Sequence, residues 1–285
     1  MSDFTTFREG SLHAALKARY AASIADARVE SAVDGFVVDV AGPNEVVEIQ
    51  TGSFGSASRK LERLVGSHAV VLVYPIPIEK WLVRVDADGR VLGRRRSPKR
   101  GLPLDLFDEL VHIPALAAHP DFRIEILLTR EEEIRGPIAE GAKYRYPREW
   151  RRLDRRLLDV IETRRIDTPA DLLCLLPCGL PEPFTTADIV AVTGRSRRLA
   201  GRAVYCLERS GAIARLPRHG RFVAYGRVPE VAAAGACRGP TRSDEVSPGS
   251  LTAERRVARA EDGRATREGP FASDVAGVEP RTLLP

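Results

Sequence analysis

Acidic and amide side chains recur within one short hairpin of the sequence, and they are of the types that hold a divalent cation. In VVEIQ, residues 46–50, side chains alternate along the predicted strand, so Glu48 and Gln50 share one face. Asp39 lies in FVVDV, residues 36–40, close to the turn that precedes the second strand. Two carboxylates on neighbouring strands suit a hard cation such as Mg²⁺ or Mn²⁺. The pattern predicts a metal site at Asp39 and Glu48, with exposure of both acids on an edge hairpin as the alternative.

Two further charged residues belong to helices that flank this hairpin. Apolar residues at four-residue steps predict a helix from about 8 to 22, and Glu9 falls in its apolar stripe. An acid there is costly unless it is paired or bound to metal, but an acid also favours a helix start through the helix dipole. Lys60 flanks the inward stripe of a helix predicted from about 56 to 66. It either reaches the carboxylates or extends along the surface with only its stem buried.

Alternating strand and helix patterns up to residue 135 predict an α/β fold. The strands 36–40 and 46–50 flank AGPNE, a turn sequence, and so pair as a hairpin. AVVLVY, residues 69–74, predicts a short buried strand, and EKWLVRVDADGRVLGR predicts a second hairpin. A helix near LDLFDELV and the strand FRIEILL follow. These elements predict a mixed central sheet with flanking helices.

The order of acids along these elements resembles the PD-(D/E)XK nuclease superfamily, which has a restriction-endonuclease-like fold. The resemblance covers roughly residues 5–85. The superfamily has an acid in the first helix, an acid in one strand and Glu-x-Lys in the next strand, followed by a helix. Glu9, Asp39 and Glu48-Ile49-Gln50 occupy these places here. Gln50 stands where the superfamily usually has a lysine, and some members use Glu-x-Gln or carry the lysine on the following helix.

The resemblance implies phosphodiester hydrolysis and assigns a role to each residue. Asp39 and Glu48 would bind the metal ion, and Glu9 would hold a second metal or its hydration shell. Gln50 would position the attacking water, and Lys60 would offset the charge of the transition state. The alternative is a nuclease fold that has lost activity and serves as a DNA-binding regulator, or a module for protein contacts.

A second pattern, over residues 168–228, consists of three helices and a hairpin and resembles a winged helix-turn-helix. Thr168, then Thr185 or Thr186, and Ser196 are N-cap residues that start the helices. In such folds the third helix enters the DNA major groove and the hairpin touches the backbone. Basic residues predicted to contact DNA lie here and in a loop of the first domain: Arg195, Arg197, Arg198, Arg202, Arg218 and Arg221, with Arg95, Arg96 and Lys99.

The predicted organisation is four segments with an uneven charge. A nuclease-like domain spans 1–143, a basic connecting helix spans 144–167, the winged helix spans 168–228 and a disordered tail spans 229–285. The tail holds eight arginines and nine acids, so the net charge of +5 comes from the preceding residues. A basic folded part favours a polyanionic partner such as DNA.

Other features of the composition exclude whole classes of protein. No apolar run approaches the ~18 residues of a membrane span, and the N-terminus lacks a secretory signal pattern, so a cytoplasmic location is expected. The four cysteines have no zinc-ligand spacing and are expected to be reduced thiols. The oligomeric state is left open, with a homodimer among the alternatives.

Overall fold

One large mixed sheet organises the chain. The computed structural model describes residues 10–138, 150–219 and 222–234. The strands of the sheet are β1 Arg28–Val33, β2 Phe36–Ala41, β3 Glu45–Ile49, β4 Ala69–Val85, β5 Val91–Arg96, β6 Phe122–Pro137 and β7 Trp150–Ile166. Their order is β1-β2-β3-β4-β6-β7, and β5 pairs with β4. β3, β4 and β6 are parallel neighbours, whereas the other pairs are antiparallel.

Helices cover both faces of this sheet, as the sequence predicts. They are α1 Ser11–Ser23, α2 Ser58–Leu64, α3 Phe107–Leu110, α4 Pro169–Leu173, α5 Thr186–Thr193, α6 Arg197–Arg209 and α7 Pro229–Ala234. A hairpin of β8 Ile213–His219 and β9 Phe222–Arg227 follows α6. Leu12 and Leu16 of α1 are buried in one core, together with Val47 and Ile49 of β3. The opposite face packs against α2, α3 and the helices after residue 168 in a second core.

The central strands are apolar on both faces because helices cover both. In β4, Val71 and Val73 belong to the α1 core, whereas Val70 and Leu72 belong to the other. A continuous apolar run is typical of a parallel strand buried on two sides. The hairpins predicted at 36–50 and around Asp88-Gly89 are confirmed.

The basic helix expected over 144–167 is wrong for the residues described there, since 150–166 form the strand β7. Residues 144–149 lie outside the described part of the chain. β7 pairs with β6, and two acids of β6 are partners of β7 arginines. Arg155 contacts Glu131, and Arg165 contacts Glu125. Cross-strand pairs of opposite charge stabilise a sheet, and these partners lie far apart in the sequence.

Residues after 168 begin their helices where the sequence predicts. The side chains of Thr168, Thr185 and Ser196 accept hydrogen bonds from backbone amides in the first turns of α4, α5 and α6. This part shares one continuous core with the α/β part, in which Phe107 and Leu110 join the same cluster as Leu199 and other apolar residues of α6.

The start of the predicted disordered tail is helical. Residues 229–234 form α7, and Val231 packs against the core. The expectation of disorder is therefore wrong for these six residues. The rest of the predicted tail lies outside the described residues.

Two expectations from the composition concern membrane-spanning helices and the state of the cysteines. Within that part of the chain, no helix is both long and apolar enough to cross a membrane. Cys178 and Cys206 are free thiols, and burial raises the pKa of Cys206 to about 12.

Candidate functional site

The hairpin acids and the helix lysine come together at the end of β3. Lys60 Nζ, on α2, donates hydrogen bonds to Glu48 Oε2 at 2.5 Å and to the Val37 carbonyl at 2.6 Å. Gln50 Nε2 lies 3.3 Å from Glu48 Oε1. Glu48 is only 6% exposed. Of the two alternatives for Lys60, its ammonium points at the carboxylate rather than along the surface.

Asp39 joins this group because β2 is irregular there. Val38 belongs to one core and Val40 to the other, although a regular strand would place both on one face. The alternation is thus interrupted at Asp39. Its Oδ2 accepts a hydrogen bond from the Ile49 amide at 2.8 Å. The Asp39 side chain thus takes the place that a backbone carbonyl of the neighbouring strand would have in a regular sheet. Extending the β2–β3 register by one residue sets Asp39 opposite Glu48.

The two carboxylates differ in their electrostatics. Burial and the neighbouring Asp39 raise the pKa of Glu48, against the opposing effect of Lys60. Burial also acts to raise the pKa of Asp39, but hydrogen bonds from His13 and the Ile49 amide outweigh it and hold that pKa below its usual value. A cation beside the pair would relieve the repulsion that Glu48 experiences.

The donor set suits a small hard cation. Mg²⁺ is held in proteins by one or two carboxylates, with water completing its shell. Asp39 and Glu48 supply two adjacent carboxylates, and Gln50 supplies an amide. Within residues 10–138, 150–219 and 222–234, no three His, Cys, Asp or Glu side chains are grouped to hold a metal ion. The fit therefore depends on two carboxylates and water.

Two residues at the N-terminal end of the chain, Glu9 and His13, also concern this site. Glu9 lies outside the described residues. His13, one turn into α1, has Nε2 3.2 Å from Asp39 Oδ2, with its side chain 22% exposed. The sequence gives His13 only the appearance of a packing residue in an apolar stripe. Its contact with Asp39 depends on α1 crossing β2.

The arginines after residue 168 that are predicted to contact DNA divide into two groups. Arg195 Nη2 donates to Asp105 Oδ2 at 2.9 Å, and Arg202 Nη1 donates to Asp108 Oδ1 at 2.8 Å. These contacts hold the start of α6 against the segment around α3. Arg202 therefore faces the segment around α3. The arginines that remain exposed among those predicted to contact DNA in this region are Arg197, Arg198 and Arg218. Arg221 lies outside the described residues.

The basic residues 94–100 of the first domain also fall into two groups by location. On β5, Arg96 pairs with Glu79 at 2.9 Å. Arg95 is exposed on the same strand. Lys99 lies instead in the loop 97–102, which forms one wall of a separate cleft.

This cleft has a volume of about 850 Å³ and is rich in cations; we call it the basic cleft. One wall comes from β4, β6 and β7, and the other from the loop 97–102, Asp105 and the junction between α5 and α6. Thr51, two residues beyond Ile49 of β3, lines it as well. Its positively charged lining residues are Lys80, Lys99, Arg100, Arg152, Arg155 and Arg195. Of the described residues, two acids line it, Asp105 and Glu133.

Comparisons with known proteins place the chain in a family. A family model described as "Domain of unknown function (DUF8091)" matches residues 10–167, more than half of the chain, so the protein belongs to this family. A protein of Treponema pallidum (strain Nichols), described as an uncharacterized protein, is 30% identical over 227 residues, covering 79% of this chain and 87% of its own. No solved structure matches the chain.

Proposed function

We propose that this protein is a metal-dependent nuclease that hydrolyses phosphodiester bonds in DNA. In this proposal the sheet and its helices form a restriction-endonuclease-like fold, and residues 168–228 form a winged helix. The observation that carries it is the contact between Lys60 Nζ and Glu48 Oε2, at 2.5 Å and beside Asp39. Glu48 is buried beside a second carboxylate, which is costly as mere structure, and two acids with a lysine are a suitable arrangement for phosphoryl chemistry.

Each side chain has a separate task in this mechanism. Asp39 and Glu48 would hold a divalent cation, and such a cation would supply positive charge beside the scissile phosphate and would acidify bound water. Gln50 donates or accepts a hydrogen bond that orients the attacking water. Lys60 leaves Glu48 once that carboxylate is neutralised, and its ammonium offsets the charge that develops on the phosphate. The neutral Gln50 cannot supply this charge, so cleavage depends on Lys60.

The test is a cleavage assay on plasmid DNA, single-stranded DNA and RNA with Mg²⁺ or Mn²⁺. We expect the wild type to cut DNA, and we expect Glu48→Ala and Lys60→Ala each to lower the rate at least ~100-fold, as loss of a charged transition-state contact does. Glu62→Ala and Arg63→Ala change exposed residues of α2 and are the matched controls. Cleavage that persists in Glu48→Ala would contradict the proposal.

A second candidate is a DNA-binding regulator without cleavage. The observation that favours it is that Lys60 already has two acceptors, Glu48 and the Val37 carbonyl, which would hold it away from a substrate. Under this alternative, Mg²⁺ raises the melting temperature through Asp39 and Glu48, but no nucleic acid is cut.

A further inference from the structure

We propose that the basic cleft binds one strand of nucleic acid through its phosphates and does not admit a duplex. It is a site of its own, distinct from the exposed arginines of α6 and from the Asp39–Glu48 pair. Only one part of this inference rests on the proposed function, namely that the bound nucleic-acid strand leads toward Glu48.

The charges of the basic cleft favour a polyanion. Lys80 pairs with Glu133 at 2.8 Å, and Arg155 pairs with the fully buried Glu131. Lys99, Arg100 and Arg152 are exposed, and no carboxylate among the described residues forms an ion pair with them. Three solvated cations around one concave surface supply the sequence-independent phosphate contacts that nucleic-acid binding uses.

The size of the basic cleft selects a single strand. Its volume of about 850 Å³ lies within the ~300–1,000 Å³ of clefts that enclose a small ligand, which is room for a few nucleotides of one strand and not for a duplex. Short stretches of one strand fit such a space, and grooves that track single strands combine cations with stacking surfaces. Tyr74 and three prolines, Pro75, Pro77 and Pro98, form the apolar part of the lining.

Arg195 and Thr51 indicate how a nucleic-acid strand would be held in the basic cleft. Arg195 Nε is buried and has no hydrogen-bond partner within the described part of the chain, which is costly for a charged donor. An arriving phosphate oxygen would let this guanidinium reorient and satisfy it. Arg155 Nη1 donates to the Thr51 carbonyl at 2.9 Å. Thr51 follows Gln50 directly, so a nucleic-acid strand bound in the basic cleft would lead toward Glu48.

Binding is measured by fluorescence anisotropy in EDTA, at several salt concentrations. The ligands are a labelled single-stranded DNA, an RNA of the same sequence, the DNA duplex and a nucleoside diphosphate. We expect the single strands to bind at least ten-fold more tightly than the diphosphate, and we expect substitutions in the basic cleft to weaken single-strand binding without weakening duplex binding, which exposed arginines outside the cleft can supply. In Lys99→Ala/Arg100→Ala/Arg152→Ala, the slope of log affinity against log salt should fall by about 2, since each phosphate contact contributes about 0.7 for single strands.

A matched triple variant controls for net charge. Arg19→Ala/Arg28→Ala/Arg90→Ala removes three exposed cations outside the basic cleft and should leave both affinity and slope unchanged. Melting temperatures of both triple variants should equal that of the wild type, because the substituted side chains are exposed. Equal losses in the two triple variants would overturn the inference. So would a loss of duplex affinity in the cleft variant as large as its loss of single-strand affinity, or diphosphate binding as tight as that of the single strand.

Cleavage is measured separately with Mg²⁺, so that the two proposals can fail independently. Loss of strand binding in the cleft variant with no cleavage by the wild type supports the basic cleft and contradicts the nuclease. Cleavage by the wild type that is unchanged in the cleft variant supports the nuclease and contradicts the strand path.

Discussion

Lys60 neutralises a carboxylate that burial and a like-charged neighbour make costly to ionise. Its ammonium contacts Glu48, while Asp39 is compensated by His13 and a backbone amide. The two acids therefore stand in unequal environments, and the pKa of Glu48 is raised while that of Asp39 is lowered. Such a separation is typical of sites in which paired carboxylates have different tasks. It also makes the pair sensitive to pH and to cations.

The pH dependence of stability should reveal the raised pKa of Glu48. Because the folded-state pKa lies above the ordinary value near 4.5, Glu48 contributes stability below that value and loses it as pH rises through the folded pKa. We expect the unfolding free energy of wild type minus that of Glu48→Gln to fall as pH rises from about 4 to 8. Urea unfolding at a series of pH values measures it.

Mg²⁺ should reverse this trend, since it binds the ionised carboxylates and stabilises the folded state by mass action. Asp39 does not interfere, because its lowered pKa places its loss of stability below its ordinary value of 3.8. A difference that stays constant with pH, with and without Mg²⁺, would show that Glu48 is not the perturbed group.

At the scale of elements, the loop 97–102 carries two of the three exposed cations of the basic cleft, Lys99 and Arg100, and depends on one glycine. The Gly101 amide donates to the Pro77 carbonyl at 2.8 Å, which holds the loop against β4. A Cβ at Gly101 would lie 2.4 Å from Ile76 Cγ2 and 2.9 Å from the Pro77 carbonyl oxygen. The backbone therefore approaches β4 more closely than a side chain permits.

Gly101→Ala should displace this loop. We expect a loss of about 1–3 kcal/mol in unfolding free energy, as overpacking costs, together with weaker single-strand binding because Lys99 and Arg100 move. Gly93→Ala is the control, since nothing lies within 4 Å of a Cβ there, and it should stay within about 0.5 kcal/mol of wild type. Chemical denaturation and anisotropy measure the two effects. Equal behaviour of both variants would contradict the packing argument.

The whole molecule is held together across the junction between α3 and α6. Apolar residues from both sides of residue 168 share one core. Arg202 adds hydrogen bonds to the carboxylate and carbonyl of Asp108, at 2.8 and 2.7 Å. A continuous core of this kind couples the unfolding of the segments that share it. The boundary predicted at residue 168 therefore marks a change in the sequence pattern, but the core packing continues across it.

We expect residues 10–234 to unfold in a single transition, and Arg202→Ala to lower its midpoint as a whole. The expected loss is about 1–2 kcal/mol, the range for hydrogen bonds to charged groups that are partly exposed. Arg209→Ala, an exposed change on the same helix, is the control. Thermal unfolding monitored by circular dichroism and by intrinsic fluorescence measures it. Two transitions, of which Arg202→Ala shifts only one, would show that the parts fold independently.

Local signals in the sequence determined much of the secondary structure. The β2–β3 hairpin follows from its turn residues, and the apolar run of β4 predicts a buried strand. The caps Thr168, Thr185 and Ser196 start their helices through hydrogen bonds within the first turn. Each signal acts over a few neighbouring residues, so no tertiary contact is needed to detect it.

Only the tertiary structure decided what the charged residues do. Residues 151–156 have the composition of a basic helix, but they pair with β6 as a strand, and Arg155 contacts the buried Glu131 of that neighbour. The contact of Lys60 with Glu48 depends on how α2 packs on the sheet, and Arg202 turns inward because Asp108 is there. The basic cleft joins strands, a loop and the α5–α6 junction that lie far apart in the chain. An ion pair contributes according to distance and burial, which the sequence does not contain.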